Sequence, residues 1–367
     1  MNTAQIPPRN STSLLHVGSP IMKSRLGIDT YANQEKTPNA LIDLSWTTDE
    51  NHFLSLSVCE LINNLLLTEI NNPNALWTKY PVMDPYGSNE ILSSAVKQFN
   101  TRLTATQVTV GTGVTSLICH LTKIKTDAFQ IFEPAYLDFS HWLSIANKKH
   151  IITDVSAKKT EKYYFLEHPN FYNDCDEVFD LISNIQSQHN EEAIIIIDES
   201  NANYLSPDQS AVRLVNEVPG VVVLRGFSKA YGLGSLRLGV CISSPNISQS
   251  IRSLFPPLAF TPTSLRVARI LWENGDIQKG LRTRISSARE KFLPIFNKFN
   301  ELSIIPSNPA LPYVIFNSDS KEFLDSIGVQ TKLHTMSVSP GNVAIVCRLS
   351  LPLLDERQKI LHSILEK

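Results

Sequence analysis

The chain lacks the residue patterns on which several broad functions are built. Its 367 residues include five cysteines, Cys59, Cys119, Cys175, Cys241 and Cys347. They are odd in number, scattered, and form no Cys-x-x-Cys pair. That spacing excludes a disulfide framework and a thiolate zinc site, and it points to isolated thiols in a reducing compartment. No metal is expected. Lysine and arginine form no long run and the net charge is −2. A nucleic-acid footprint and an anionic-membrane patch are therefore excluded. No apolar run nears the roughly 20 residues that span a bilayer. The N-terminal stretch has neither the charged nor the apolar region of a signal peptide, so the expected location is cytoplasmic. Internal repeats and low-complexity segments are also missing.

What is present is the composition of an ordinary globular protein, 42% hydrophobic and 19% charged. The length suits two domains or one large α/β domain. Residues 1–20 are polar and aperiodic and are expected as a loose arm. Residues 41–44 form a short apolar strand. Residues 56–70 carry Leu56, Leu61, Leu65 and Ile70 at helical intervals and end at Asn71-Asn72-Pro73. Strand patterns then alternate with helices, at 108–110, 129–132, 150–155, 163–166, 193–197, 221–224 and 238–242. Short apolar runs without polar alternation fit strands buried on both faces of a mostly parallel sheet. The texture changes after about residue 255. Pro256-Pro257 break the chain, and a helical pattern follows through Ile277, Leu281, Ile285, Ala288, Phe292 and Ile295. Arg282, Arg284 and Arg289 are expected mainly on its solvated faces. The remainder reads as a small α+β unit.

Chemistry concentrates at four places. A β-branched run ends in Gly226-Phe227-Ser228-Lys229, and Arg237 follows a glycine-rich loop. Residues 111–116, Gly111-Thr112-Gly113-Val114-Thr115-Ser116, join a strand to an apolar helix. Such a turn aims free N–H groups at an anion. It is also a degenerate dinucleotide fingerprint, with Glu133 near the place of a ribose-binding acid. Ser116 in place of the third small residue, and Pro134 directly after the acid, count against that alternative. Asp198 closes a buried apolar strand, where a carboxylate faces the ligand crevice of an open α/β sheet. Glu199 should point to the opposite face. An amine, a hydroxyl, a guanidinium, an anion turn and a buried acid together suit pyridoxal 5′-phosphate (PLP). Lysine forms the Schiff base, the cup and arginine hold the phosphate, and the acid pairs with the ring nitrogen.

In order and spacing these segments resemble the class I/II PLP-dependent aminotransferases, fold type I. In texture they are nearest the histidinol-phosphate aminotransferase and threonine-phosphate decarboxylase subgroup. The likeness spans roughly residues 40–367. It implies an α/β fold with a large domain holding a mostly parallel sheet and a small α+β domain. The expected division is an arm at 1–20, a large PLP-binding domain at 46–255, and a small domain made of 21–45 and 256–367. The resemblance makes Lys229 catalytic. It gives the phosphate to Thr112, Gly113, Val114, Thr115, Ser228 and Arg237, ring stacking to Tyr136, and the pyridinium to Asp198. Lys79-Tyr80-Pro81 resembles the segment whose tyrosine reaches the partner subunit's phosphate, so Tyr80 implies a homodimer with shared sites. Arg348, in Val346-Cys347-Arg348-Leu349-Ser350, resembles the clamp for the substrate α-carboxylate.

The chain departs from that pattern in three places. The family asparagine that bonds the PLP 3′-oxygen is absent from its usual frame, and a one-residue shift brings Asn170 to it. The tyrosine of Asp-x-x-Tyr is replaced by Asn201, which is expected to donate in its stead. Gly226-Phe227 replaces Thr-Leu before Ser228, removing one phosphate hydroxyl. The expected function is an aminotransferase acting on an α-amino acid through a Lys229 Schiff base. The alternatives are a PLP-dependent decarboxylase or an elimination or cyclisation enzyme, and, from another class, a non-catalytic PLP-binding protein.

Overall fold

In a computed structural model the described residues are 15–16, 39–78, 80–126, 128–133, 135–170, 176–189, 192–339 and 342–366. Of the arm expected over 1–20, only Leu15–His16 falls among them, and the rest lies outside the described residues. The strands, in chain order, are β1 (Leu15–His16), β2 (Ile42–Asp43), β3 (Val108–Gly111), β4 (Ala128–Phe132), β5 (Lys149–Thr153), β6 (Tyr163–Glu167), β7 (Ile194–Glu199), β8 (Val221–Gly226), β9 (Gly239–Ser243), β10 (Ile304–Ile305), β11 (Tyr313–Asn317), β12 (Val329–Gln330), β13 (Lys332–Ser339) and β14 (Asn342–Ser350).

Seven strands form one sheet in the order β3-β9-β8-β7-β6-β4-β5. Neighbours from β8 to β5 run parallel, while β9 is antiparallel to both β8 and β3. The apolar runs of β7 and β8 follow from this placement. Ile195, Ile197, Val221 and Val223 enter the core on one face, and Ile196, Val222 and Leu224 enter the core on the other. A strand covered on both faces has no polar position to alternate with. The β-branched side chains also suit the pleated backbone.

A second, antiparallel sheet has the order β1-β14-β11-β10, with β13 also paired to β14. It packs around its own core with the helix Lys279–Phe296 and the C-terminal helix Asp355–Leu365. The short parallel pair β2–β12 lies beside it. The packing changes one expectation. The helix Pro262–Glu273 buries Leu265, Val267, Ala268, Leu271 and Trp272 in the core of the seven-stranded sheet, and Ile277 joins them. Trp272 packs edge-on to Phe99 at 5.2 Å and lies 5.1 Å from the Phe227 ring. The chain therefore crosses to the second core after Ile277 rather than near 255, because the apolar face of 262–273 has its partner in the helix Ser88–Phe99. Arg289 also differs. It is buried and donates to the carbonyls of Leu311 (3.1 Å) and Tyr313 (2.8 Å).

The ends of β7 and β8 are joined by a buried ion pair. Glu199 Oε2 accepts from Arg225 Nη1 at 2.9 Å and from Ser210 Oγ at 2.6 Å, and its Oε1 accepts from the Ala211 amide at 2.6 Å. Arg225 also donates to Asn203 Oδ1, and Asn203 Nδ2 donates to the Gly226 carbonyl at 2.7 Å. A buried charge that loses its partner is costly. Glu199→Ala is expected to destabilise the protein by about 3–5 kcal/mol, read from urea denaturation. Replacing the pair together by Leu and Met should recover most of that loss. Equal losses in the single and double variants would show that the pair is not what holds these ends.

Candidate active site

The parallel strands end on one side of the large sheet, and there a cavity of about 610 Å³ opens toward β13 and β14. Its walls bring together most of the residues singled out from sequence. Gly113, Val114, Thr115, Tyr136, Asp198, Asn201, Ser228, Lys229, Arg237 and Arg348 all line it. Three do not. Thr112 is exposed and its hydroxyl is directed to the Ala259 carbonyl at 3.4 Å. Tyr80 is 80% exposed and stands away from the cavity. Asn170 lines a separate cavity of about 260 Å³ that shares Glu167 with the first. Asn170 is reached by a one-residue shift against the family frame, with no strand geometry behind it. The strand ends at Glu167.

One end of the cavity is built for an anion. Gly113 caps the helix Val114–Leu121 with φ +84 and leaves its N–H groups open. A Cβ at Gly113 would stand 2.9 Å from Arg237 Nη2, and the φ of +84 at this position favours glycine in its own right. Arg237 itself sits at φ 49, in the left-handed region, and Nη1 donates to the Gly234 carbonyl at 3.1 Å. That is a strained position for a non-glycine residue, of a kind that clusters at ligand sites.

Acids occupy the middle. Asp198 Oδ1 accepts from the Ser200 amide (2.8 Å) and hydroxyl (2.6 Å). Burial nevertheless raises its pKa against the pull of those bonds and of Lys229. Glu167, at the end of β6, accepts from the Tyr136 amide. Burial, reinforced by the charge of Asp198, pushes its carboxyl up to about 8. Behind the cavity wall, Glu50 accepts from the hydroxyl of the lining residue Tyr204 at 2.9 Å and is likewise raised, chiefly by burial. Lys229 lies among these groups. Desolvation and Arg348 lower its pKa, while Asp198, Glu50 and Glu167 oppose the drop.

The far end is basic and comes from the second sheet. Lys332 on β13 sits opposite Arg348 on β14 in the register. Arg348 Nη2 donates to the Ser45 carbonyl at 2.9 Å, and the guanidinium lies 5.0 Å from the Tyr313 ring centroid. Lys332 Nζ stands 3.9 Å over the Trp46 ring. Burial, with Arg348 and Lys229 adding repulsion, lowers Lys332 to about 7. His334 is held well below the usual histidine range by the same causes.

Sequence reasoning missed Glu167, Glu50, Tyr204, Lys332 and His334. Glu167 had the same signal as Asp198, an acid closing an apolar strand. Lys332 had none, because its place depends on a cross-strand register. The donor set fits a molecule with a phosphate, a reactive carbonyl and a pyridine ring. The cup and Arg237 suit the phosphate, Lys229 the carbonyl, and Asp198 the ring nitrogen.

Lys332 makes the stability of the cofactor-free protein depend on pH in a stated direction. Its folded pKa, about 7, lies below the unfolded value near 10.4. The unfolded chain therefore binds more protons between those limits, and stability rises with pH across that window. Lys332→Met should raise stability at neutral pH and flatten the rise, as read from urea midpoints between pH 6 and about 10. Parallel curves for the two proteins would show that burial of this amine costs nothing.

The comparisons with known proteins agree with this geometry. The family model for aminotransferase class I and II matches residues 172–358, more than half of the chain. Histidinol-phosphate aminotransferase 2 of Archaeoglobus fulgidus is 22% identical over 253 residues, covering 66% of this chain and 72% of that protein. Another curated histidinol-phosphate aminotransferase aligns over only 20% of its length. Among solved structures, L-threonine-O-3-phosphate decarboxylase from Porphyromonas gingivalis superposes with a TM-score of 0.68 at 14% identity, over 89% of this chain and 100% of that one. Histidinol-phosphate aminotransferase from Sinorhizobium meliloti, in complex with pyridoxal-5′-phosphate, superposes with a TM-score of 0.67 at 15% identity, over 95% and 97%. Among the described residues no helix is long and apolar enough to cross a membrane. A lysine, an acid and an anion cup at the ends of parallel strands thus go with a shared sequence pattern and a shared fold, and the chain belongs to the class I and II aminotransferases, PLP-dependent transferases of fold type I.

Proposed function

We propose that this protein transfers the amino group of an α-amino acid, with PLP held between the two sheets. One observation carries the reading: an anion cup, a desolvated lysine amine, a buried acid and an arginine share a single cavity. When bound, PLP supplies a carbonyl that joins amines and a ring that accepts electron density from the substrate Cα. Lys229 is the amine that holds the cofactor and the base that takes and returns the Cα proton. Burial, with Arg348 adding to it, shifts this amine toward the neutral form that can accept a proton. Asp198 holds a proton on the ring nitrogen. Gly113, Val114, Thr115, Ser228 and Arg237 hold the phosphate, with Thr112 contributing backbone rather than its hydroxyl. Tyr136 stacks on the ring, and Asn201 donates to the ring oxygen. Arg348 grips the α-carboxylate, and Lys332 beside it adds positive potential for the approach of an anionic substrate.

The same reading makes the protein a cytoplasmic homodimer. The four described cysteines are free thiols. Trp77, Tyr80, Val82 and Met83 are all more than half exposed and close together in sequence, a surface that a second copy would cover. Tyr80 then reaches the partner's phosphate. The domain division is a cofactor-holding unit over 46–255, to which packing adds the segment up to Ile277, and a small unit from the remainder.

Borohydride reduction of the PLP-loaded protein should fix the cofactor to Lys229, located by peptide mass. Lys229→Ala should lose the adduct and at least about 10²–10⁴-fold in amino-transfer rate. Arg348→Met should raise KM for amino acids about a hundredfold while sparing cofactor loading. Adduct on another residue, or unchanged kinetics, would sink this assignment. Sedimentation equilibrium should give a dimer, and Met83→Glu with Val82→Glu should shift it toward monomer and weaken PLP retention. A wild-type monomer with full activity would remove the shared-site proposal.

A further inference from the structure

Two carboxyl groups stand side by side where the large sheet meets the cavity. Glu167 is the register partner of Asp198 across β6 and β7. Parallel neighbours lie about 4.8 Å apart. Side chains alternate along each strand, and Glu167 falls on the same face as Phe165, as Asp198 does with Ile196. Both residues are buried and both line the cavity that holds Lys229.

Such a pair does not carry two negative charges in a desolvated site. The hydrogen bonds indicate which member is charged. Asp198 Oδ1 accepts two bonds from Ser200, and bonds accepted by a carboxylate favour its ionised form. Glu167 accepts one, from the Tyr136 amide on Oε1, and Oε2 makes none among the described residues. The ring also asks for unlike partners. Its nitrogen is satisfied by one carboxylate. Its oxygen substituent can accept more than one hydrogen bond, so beside Asn201 it has room for a second donor, which an ionised carboxyl cannot provide.

Resting on the PLP reading, we propose that Glu167 is a positioning residue for the cofactor: a carboxylic acid that donates a hydrogen bond to the oxygen on the pyridine ring, while Asp198 alone carries the negative charge. The titratable and charged groups facing Glu167 are Asp198 from β7, Lys229 from the loop after β8, and Tyr313 from β11. Arg348 lines the same cavity from β14. Burial and Asp198 hold the Glu167 proton on to about pH 8, with Lys229 and the Tyr136 amide pulling the other way. At neutral pH the donor is therefore in place. Its effect has a definite sign. A hydrogen bond to the ring oxygen stabilises that oxygen as an anion and lowers the proton affinity of the group it shares a proton with. Removing the bond must raise the pH at which the bound cofactor changes colour.

The test uses the PLP-loaded protein and the visible absorbance titrated against pH. Glu167→Leu should shift the spectral transition upward by about one pH unit or more. Glu167→Gln keeps a neutral N–H donor in the same place and should titrate close to the wild type. A role confined to supporting Tyr136 would lower stability in both variants without moving the titration. If far-UV circular dichroism shows that leucine prevents folding, Glu167→Ala is titrated in its place. A leucine or alanine variant that titrates with the wild type overturns the proposal, as does a glutamine variant that shifts equally far. A wild-type protein with no Lys229-dependent visible band would instead overturn the PLP reading itself.

Discussion

The buried pair Glu199–Arg225 is the constraint on which the rest of the site depends. Two acids follow one another at the end of β7, and the strand's twofold alternation sends them to opposite faces. Asp198 enters the cavity. Glu199 enters the core and must be neutralised there, since an unpaired carboxylate in that place is worth several kcal/mol of destabilisation. Arg225 answers it from the equivalent position on β8. The same arginine reaches Asn203, and Asn203 holds the carbonyl of Gly226, two residues before Ser228. The loop behind Asn201 and Tyr204 and the loop before Lys229 are thereby tied to one charge. Neither Glu199 nor Arg225 lines the cavity, so the ion pair supports the chain leading to Lys229 from behind. Second-line support of this kind separates a site that is merely present from one held within the tolerance chemistry requires.

The two sheets contribute opposite signs to the cavity. Strands β6 and β7 of the large sheet end in Glu167 and Asp198, whereas β13 and β14 of the second sheet supply Lys332 and Arg348. Lys229 stands between them and feels both: Arg348 lowers its pKa, and Asp198, Glu50 and Glu167 resist. In the proposed function this gradient would give an amino acid a direction, with its carboxylate toward the basic wall and its amine toward the lysine. Desolvation strengthens every part of that arrangement, because charges in a dry cavity are poorly screened. It also limits how many charges the cavity can hold, which is why Lys332 and Glu167 are pushed toward their neutral forms.

Much of the fold was legible in the sequence for a local reason. The runs at 193–197 and 221–224 have no polar alternation, and only strands covered on both faces need none. The cup was legible because a glycine turn between an apolar strand and an apolar helix is a local pattern that aims free N–H groups at an anion. Where an expectation failed, the deciding interaction was remote. The helix Pro262–Glu273 belongs to the large core because of its contact with Ser88–Phe99, and no spacing within 256–296 reveals that partner. Arg289 was expected on a solvated face, yet it meets the carbonyls of Leu311 and Tyr313. Asn170 was brought forward by a frame shift, whereas the end of β6 leaves Glu167 as the last residue facing the cavity. Lys332 joins the site only through its pairing with Arg348.

Glu167 bears on a wider question, how a site tolerates an acid where an amide would seem safer. An asparagine donates and accepts without ever ionising. A glutamic acid donates only while protonated, so its use requires surroundings that keep the proton on. Here burial does so first and the charge of Asp198 adds to it, while the Ser200 bonds favour Asp198 as the member that ionises. The acid therefore adds a dependence on Asp198 that an amide would lack. Any event that neutralises Asp198, such as a proton shared with the ring nitrogen, lowers the resistance to ionising Glu167. The ring nitrogen and the ring oxygen become coupled through two adjacent strands rather than through the ring alone. Register across β6 and β7 is thus a chemical variable as well as a structural one, and a slip of one residue would separate the two carboxyls onto opposite faces.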